Sequence, residues 1–391
     1  MEIGLTKEQQ ALRDELRAYY AQLLTPEVKA ELSHSGGIGP ALRRVVKQMG
    51  TDRWLGVGWP TEYGGRGLTP AEQFVFYDES MRAGAPVPML TINTVGPTIM
   101  RFGTDEQKDY FLRRILDGEL HFCIGYSEPG AGTDLANLQT RAIRDGDEYV
   151  INGQKLWTSL ALDADWCWLA VRTDPEAQRH RGISLILVDM KNTPGITVQP
   201  LQLLTDHNVC QVFFEDVRVP VTNRVGEEHG GWKLITNQLN HERVTLVSSG
   251  SLQRYLDDVR AWAVANTAKD GRRVIDQPWV RTALARVHAR LEALRLMNWE
   301  VASSATDGSL APHDASAMKV YGSELNIEAL RSLMEIVGQA AYLEEGSPGA
   351  QLHGELDRAH RGLMILTFGG GTNELQRDLI ATFALGFPRM R

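Results

Sequence analysis

The sequence predicts an α+β chain in three blocks: an N-terminal helical domain over residues 1–120, a middle antiparallel β domain over 121–225, and a C-terminal helical bundle over 226–391. Three observations carry this. Up to Gly118 the apolar residues recur at helical spacing. Between Phe122 and Pro220 they fall into short runs rich in Val, Ile and aromatics, closed by turn residues. From Gly230 onward the helical spacing returns. With 391 residues and 43% hydrophobic content, the chain can bury a large core and form more than one domain.

The first block opens on a capping box, Thr6-Lys7-Glu8-Gln9, followed at helical spacing by Leu12, Leu16, Tyr19 and Leu23. Ser35-Gly36-Gly37-Ile38-Gly39-Pro40 breaks it from a second helix, Ala41–Met49. A Gly- and Pro-rich loop, Gly58 to Gly67, reads as punctuation before helix Thr69–Arg82. A second capping box, Thr104-Asp105-Glu106-Gln107, opens helix Asp105–Leu116.

The predicted strands of the middle block are Phe122–Gly125, Ala142–Ile143, Tyr149–Ile151, Trp166–Arg172, Ile183–Asp189, Thr197–Pro200 and Val209–Phe214. Asp145-Gly146-Asp147, Asn152-Gly153 and Thr193-Pro194-Gly195 are read as turns, and Val217–Pro220 as the end of the unit, a sandwich or partly closed barrel. In the third block the predicted helices are Gly231–Ser249 continuing through Thr267, then Val280–Ser304, Ala315–Val337, Gly349–Thr367 and Asn373–Leu385.

Composition excludes several functions. A formal net charge of −8 argues against a general nucleic-acid binder. Cys123, Cys167 and Cys210 are too few and scattered for a disulfide framework or a zinc site, and read as buried thiols. No HExxH, CxxC or EF-hand spacing is present, so no metal is expected. No stretch approaches the ~18 apolar residues of a membrane span. Met1–Leu5 lacks a basic region followed by an apolar run, so a cytoplasmic protein without a secretory leader is expected.

One carboxylate stands out. On the helix from Gly231, Ile235, Leu239 and Leu246 align at i, i+4 and i+11, and Glu242 falls at i+7 within that stripe. A carboxylate on an apolar face is costly unless paired or neutralised. Either Glu242 pairs with an arginine such as Arg243 or faces a subunit contact, or it is a general base at the edge of a dry pocket.

Three loops could carry further chemistry. Tyr126-Ser127-Glu128-Pro129-Gly130-Ala131-Gly132-Thr133-Asp134 follows a predicted strand; it is an ordinary tight loop or a set of backbone amides aimed at a phosphate or heterocycle edge. It is neither a Walker loop nor a GxGxxG opening a helix. In Lys155-Leu156-Trp157-Thr158-Ser159 the indole either packs in the sheet or stacks on a flat cofactor, with the hydroxyls at its edge. Thr367–Arg377 is a plain interhelical turn or a binding loop: its three glycines admit a planar group, Asn373 with Gln376 is expected to cap the helix behind, and that N-terminus suits an anion or polarised carbonyl.

Taken together, these stretches resemble the acyl-CoA dehydrogenase family of flavoproteins, along essentially the whole chain. The resemblance runs through Trp59-Pro60-Thr61-Glu62-Tyr63-Gly64-Gly65, Tyr126–Asp134, Gly153–Ser159, Phe213–Pro220 with Gly226–Trp232, and Gly370–Arg377. It implies the acyl-CoA dehydrogenase fold, with FAD held between the β domain and the C-terminal helices near a subunit contact. Tyr126 and Ser127 would then bond the flavin ring. Gly132 and Thr133 would lie at the pyrophosphate, with Thr133 also at the substrate thioester. Trp157 would pack on the isoalloxazine and Ser159 would reach its N5 edge. Gly371, Thr372 and Glu374 would lie near the flavin and its ribityl or adenine arm.

The family desaturates an acyl-CoA between Cα and Cβ: a carboxylate takes the Cα proton while hydride leaves Cβ for flavin N5. Many members place that glutamate immediately before Gly-Thr in the C-terminal loop, where this chain has Gly370. A subset has glycine there and a glutamate before an arginine on the mid-chain helix, an arrangement that Glu242-Arg243 fits. The resemblance therefore makes Glu242 the base, with Arg243 and Gly370 at the substrate and the Gly370 N–H a donor to the thioester carbonyl.

A second departure concerns assembly. Many homotetrameric members reach a neighbour's FAD through Arg-x-x-Phe-Gly and Gln-x-x-Gly-Gly segments. Here those regions read Asp270-Gly271-Arg272-Arg273-Val274-Ile275 and Glu335-Ile336-Val337-Gly338-Gln339. This pattern, with Leu239–Arg243 and Phe368–Thr372, is similar to the actinobacterial acyl-CoA dehydrogenases of steroid side chains, which form two-by-two heterotetramers. The implied partners are a bulky acyl-CoA substrate, a paired acyl-CoA dehydrogenase-like subunit and an electron-transfer flavoprotein. The alternative is a non-catalytic subunit that completes a partner's FAD site.

Overall fold

The computed structural model describes residues 4–33, 36–205, 207–245, 247–306 and 308–388; the side chains of residues 239–245 and 312 lie outside that description. The N-terminal helices are α1 (Lys7–Leu23), α2 (Pro26–Ser33), α3 (Pro40–Thr51), α4 (Pro70–Ala83), α5 (Gly96–Phe102) and α6 (Asp105–Leu116). Both predicted capping boxes are formed. Gln9 N donates to Thr6 Oγ1 at 3.2 Å and Thr6 N to Gln9 Oε1 at 3.0 Å; Thr104 and Gln107 repeat the exchange on α6. Just ahead of α5 a π-type turn, Thr91–Val95, was not predicted. Its place is set by Trp59, whose Nε1 donates to the Ile92 carbonyl at 2.8 Å. The same indole lies 2.2 Å from where a Cβ on Gly96 would sit, so only glycine fits there.

The strands are β1 (Phe122–Gly125), β2 (Arg141–Asp145), β3 (Glu148–Ser159), β4 (Trp166–Arg172), β5 (Ile183–Asp189), β6 (Ile196–Leu201), β7 (Val209–Pro220) and β8 (Arg224–Val225). They pair in the order β6-β7-β3-β2-β4-β5-β8, with β1 on β4. The sheet is mixed rather than wholly antiparallel. β1 enters beside β4 in the same direction, Phe122 opposite Trp166 and Gly125 opposite Leu169, and β2 meets β4 in parallel at Arg141 and Arg172. The other pairings are antiparallel.

Asn152-Gly153 is not a turn: β3 runs through it, with register shifts against β7 between Ile151 and Gly153 and between Lys155 and Thr158. Asn152 is held by Asp216 across the strands, through Nδ2–Oδ1 at 3.0 Å and its own Oδ1 accepting from Asp216 N. A Cβ on Gly153 would meet Thr140 at 2.6 Å, so this glycine serves a bulge, not a reversal.

The C-terminal block comprises α7 (Gly231–Thr245), α8 (Ser249–Ala265), α9 (Pro278–Thr306), α10 (Pro312–Val337), α11 (Glu355–Leu363) and α12 (Asn373–Phe383). The long helix expected from Gly231 to Thr267 is two helices. Ser248 caps α8, its Oγ accepting from Gly250 N, and Asp78 of α4 accepts from Ser248 Oγ, Ser249 Oγ and Gly250 N at 2.8–2.9 Å. That carboxylate at the N-terminus of α8 fixes the break. Three apolar cores result: one under the N-terminal helices and one sheet face, one within the sheet, and one inside the α8–α10 bundle.

Candidate active site

The loop after β1 and the last turn of β3 are drawn together. Leu156 N donates to the Ser127 carbonyl at 2.8 Å, and Lys155 Nζ donates to the Tyr126 carbonyl at 3.0 Å and to Glu128 Oε1 at 2.8 Å. Glu128 also accepts from Thr140 N at 2.8 Å and Gln139 N at 2.6 Å. Burial works to raise the Glu128 carboxyl, but Lys155 and these donors hold it below the usual carboxylate range. Burial pushes the Lys155 ammonium down, against the pull of Glu128.

The Tyr126 hydroxyl is turned inward. It accepts from Trp168 Nε1 at 3.0 Å and donates to Gln238 Oε1 on α7. This hydroxyl therefore joins the sheet to α7. Gln238 is fully buried, and its Nε2 has no hydrogen-bond partner among the described residues. It precedes Glu242 by one helical turn. Glu242 and Arg243 belong to α7, and their side chains lie outside the described residues, as do those of Leu239 and Leu246; Ile235 is buried as expected.

Within the loop, Gly132 and Thr133 are exposed and Ser127 is half-buried. Trp157 does not pack in the sheet. The register shift after Lys155 leaves it with φ +62° and 57% exposed, an aromatic held out in the left-handed region. Thr158 Oγ1 in the next residue is buried without a hydrogen-bond partner among the described residues. Ser159 Oγ lies 3.2 Å from His207 Nε2, and burial lowers the His207 pKa, so the ring is neutral at neutral pH. His207 and Thr205 share a cavity of about 670 Å³ with Gly36, Arg254, Arg358 and Ile365, which brings the end of the C-terminal block to the β domain.

The glycine loop is shaped by its neighbours. Gly370 and Gly371 have φ +70° and +91°. The α12 cap is Thr372, whose Oγ1 accepts from Leu375 N at 3.2 Å. The expected pair, Asn373 with Gln376, does other work: Asn373 bonds Lys319 and Ser323, and Gln376 Nε2 donates to the Gly370 carbonyl at 3.1 Å. Glu374 is exposed, as is Phe368 at 69%.

These features suit a planar cofactor with a polar edge and an anionic arm. Trp157 and Phe368 present bare aromatic faces, Thr158 Oγ1 lacks a hydrogen-bond partner among the described residues, and a Cβ on Gly130 or Gly132 would meet nothing within 4 Å. The sequence reading assigned no role to Lys155, Gln238 or Lys319; only Lys319, between Ala317-Met318 and Val320-Tyr321, is a charge set into an apolar run. Among the described residues no group of three or more His, Cys, Asp or Glu could hold a metal, and no helix is long and apolar enough to cross a membrane.

The chain belongs to the acyl-CoA dehydrogenase family, flavoprotein oxidoreductases acting on CH–CH bonds: the family's N-terminal, middle and C-terminal domain models match residues 6–119, 123–217 and 229–385. It is 55% identical to acyl-CoA dehydrogenase FadE26 of Mycobacterium tuberculosis, over 100% of this chain and 99% of that one. Acyl-CoA dehydrogenase FadE29 of the same organism is 46% identical over the full length of both. Among solved structures, the ChsE4–ChsE5 complex from M. tuberculosis superposes with a TM-score of 0.93 at 55% identity, and the Tcur3481–Tcur3483 steroid ACAD with 0.95 at 48%; each match covers 100% of both chains.

Proposed function

We propose that this chain catalyses FAD-dependent α,β-dehydrogenation of an acyl-CoA thioester to the trans-2-enoyl-CoA, with a steroid side chain as its acyl group. The observation that carries the flavin reading is Trp157, an exposed indole in a strained backbone conformation, next to Leu156, whose N–H bonds the loop that carries Gly130 and Gly132. The substrate class rests on the full-length likeness to a steroid acyl-CoA dehydrogenase, and on Gly370, which has no side chain to crowd a bulky acyl group.

In this reading FAD supplies the hydride acceptor. The chain's own part is position and electrostatics. Glu242 takes the Cα proton; substrate entry strips water from around it and raises its proton affinity. The Gly370 N–H stabilises the negative charge that develops on the thioester oxygen. Tyr126, Ser127, Trp157 and Ser159 would hold the ring, Gly132 and Thr133 the pyrophosphate, and Gly371, Thr372 and Glu374 would lie along the ribityl and adenine arm.

A paired acyl-CoA dehydrogenase-like chain completes the FAD site in a two-by-two heterotetramer, as paired chains occur in both related complexes. In support, Arg272 and Arg273, in the stretch where many homotetrameric members reach across, are held by Asp270 and Asp276 of their own loop at 2.8 Å. The redox partner in this reading would be an electron-transfer flavoprotein in the cytoplasm.

The test is turnover of straight, branched and steroid-linked CoA thioesters by the chain co-expressed with its pair, followed by flavin bleaching. Preference for the steroid-linked thioester is expected. Preference for short straight chains would overturn the substrate assignment, and absence of any FAD or bleaching would leave the non-catalytic alternative.

A further inference from the structure

Lys319 of α10 is 1% exposed, yet it carries an ammonium into the protein. Its Nζ donates to the Gly371 carbonyl at 2.8 Å and to Asn373 Oδ1 at 2.7 Å. Burying such a group is costly unless its hydrogen bonds are supplied, and a methionine would fill the same space without that cost. A packing role alone does not account for it.

The geometry of its acceptors does. A trans peptide is planar, with C=O and N–H pointing in opposite directions. Lys319 draws the Gly371 carbonyl toward α10, so the N–H of Thr372 faces the other way. Gln376 Nε2 does the same to the Gly370 carbonyl at 3.1 Å, turning the N–H of Gly371 outward. Both glycines are left-handed, and a Cβ on Gly371 would lie 2.6 Å from Gln376 Nε2. The anchor is itself braced: Asn373 Nδ2 reaches Ser323 Oγ at 2.9 Å, and Arg377 pairs with Glu324 at 2.7 Å across α10 and α12. A turn of three glycines has wide conformational freedom, and these bonds select one state.

We propose that Lys319 is a positioning residue of the dehydrogenation site: by fixing the Gly371 carbonyl it holds the Gly370–Thr372 turn, with the Gly371 and Thr372 amides turned away from α10, in the one state that receives the thioester and cofactor. This rests on the function proposed above. Lys319 touches neither ligand; it acts through the loop.

The test uses the FAD-loaded complex of this chain with its pair, comparing unmodified protein, Lys319→Met and Lys319→Gln. The probe is the unreactive 3-thia analogue of the acyl-CoA turned over best, titrated by its perturbation of the flavin absorbance, alongside kcat, KM and the thermal midpoint. Lys319→Met, which cannot donate, should weaken analogue binding at least about tenfold and lower kcat about 100-fold, the scale of a small misplacement at a reacting centre. Lys319→Gln, which can still donate to the Gly371 carbonyl, should recover most of both. A role in packing alone would move the thermal midpoint and leave the flavin perturbation unchanged.

Equal losses in both variants, or a Lys319→Met complex that binds and turns over like the unmodified one, would overturn the inference. If Lys319→Met does not fold, Lys319→Gln decides: near-normal binding supports the inference and a loss of more than tenfold overturns it. Unmodified complex blind to the analogue would remove the functional reading as well, so the two failures are told apart.

Discussion

Lys155 Nζ and Glu128 Oε1 lie 2.8 Å apart with side chains 0% and 6% exposed, a buried ion pair beneath the loop that follows β1. Such a pair is weak support for stability, since desolvation offsets much of the attraction. Its consequence is local order. Through the Tyr126 carbonyl and the amides of Gln139 and Thr140 it ties the ends of the 126–140 segment to β3, two residues before Trp157.

Removing one partner leaves a buried charge alone. Lys155→Met should cost about 3–5 kcal/mol in urea denaturation at neutral pH. The Glu128 carboxyl titrates below its ordinary value in the folded protein, so its contribution is complete above the ordinary carboxylate range and is lost as pH falls through the folded value. Glu128→Gln should therefore flatten the acid limb of stability against pH; an unchanged acid limb would mean that the pair does not set it.

The Tyr126 hydroxyl stands between Trp168 and Gln238. Tyr126→Phe leaves two buried groups unanswered and should lower stability by about 1–3 kcal/mol, read as a fall in thermal midpoint. A midpoint equal to that of the unmodified protein would show that the link between sheet and α7 is dispensable.

Trp157 has the opposite signature. Exposed and left-handed, it contributes little to folding, so Trp157→Ala should change unfolding free energy by less than about 1 kcal/mol. FAD affinity, measured by fluorescence titration, should fall about tenfold or more, the scale of ~1–3 kcal/mol for ring stacking. Loss of stability with FAD binding intact would contradict the assignment.

Glu242→Gln is nearly isosteric and should retain FAD. Acyl-CoA-dependent bleaching of the flavin should drop by at least about 100-fold, the contribution of a positioned general base. Stopped-flow absorbance decides it, and full activity would exclude Glu242 as the base.

Local patterns were legible where neighbours in sequence are also neighbours in space. The Thr6 and Thr104 capping boxes and the change from helical to strand periodicity at Gly118 follow from spacing over a few residues. The candidate loops around Tyr126, Trp157 and Gly370 were legible from glycines and aromatics at set spacing. Less was legible where a distant partner decides. The same Asn-Gly pair that often turns a hairpin became a bulge because Thr140 and Asp216 lie against it. One helical run became α7 and α8 because Asp78 caps the second.

What the sequence determined by itself, then, is the helix–sheet–helix order, the family, and which loops carry glycine, indole and hydroxyl together. Only the tertiary structure decided how those loops are held: Lys155 under one, Lys319 under another, and Tyr126 locked between Trp168 and Gln238. The physical reason is that a buried polar group is tolerated only where its partners stand, and those partners lie 27 to 112 residues away along the chain.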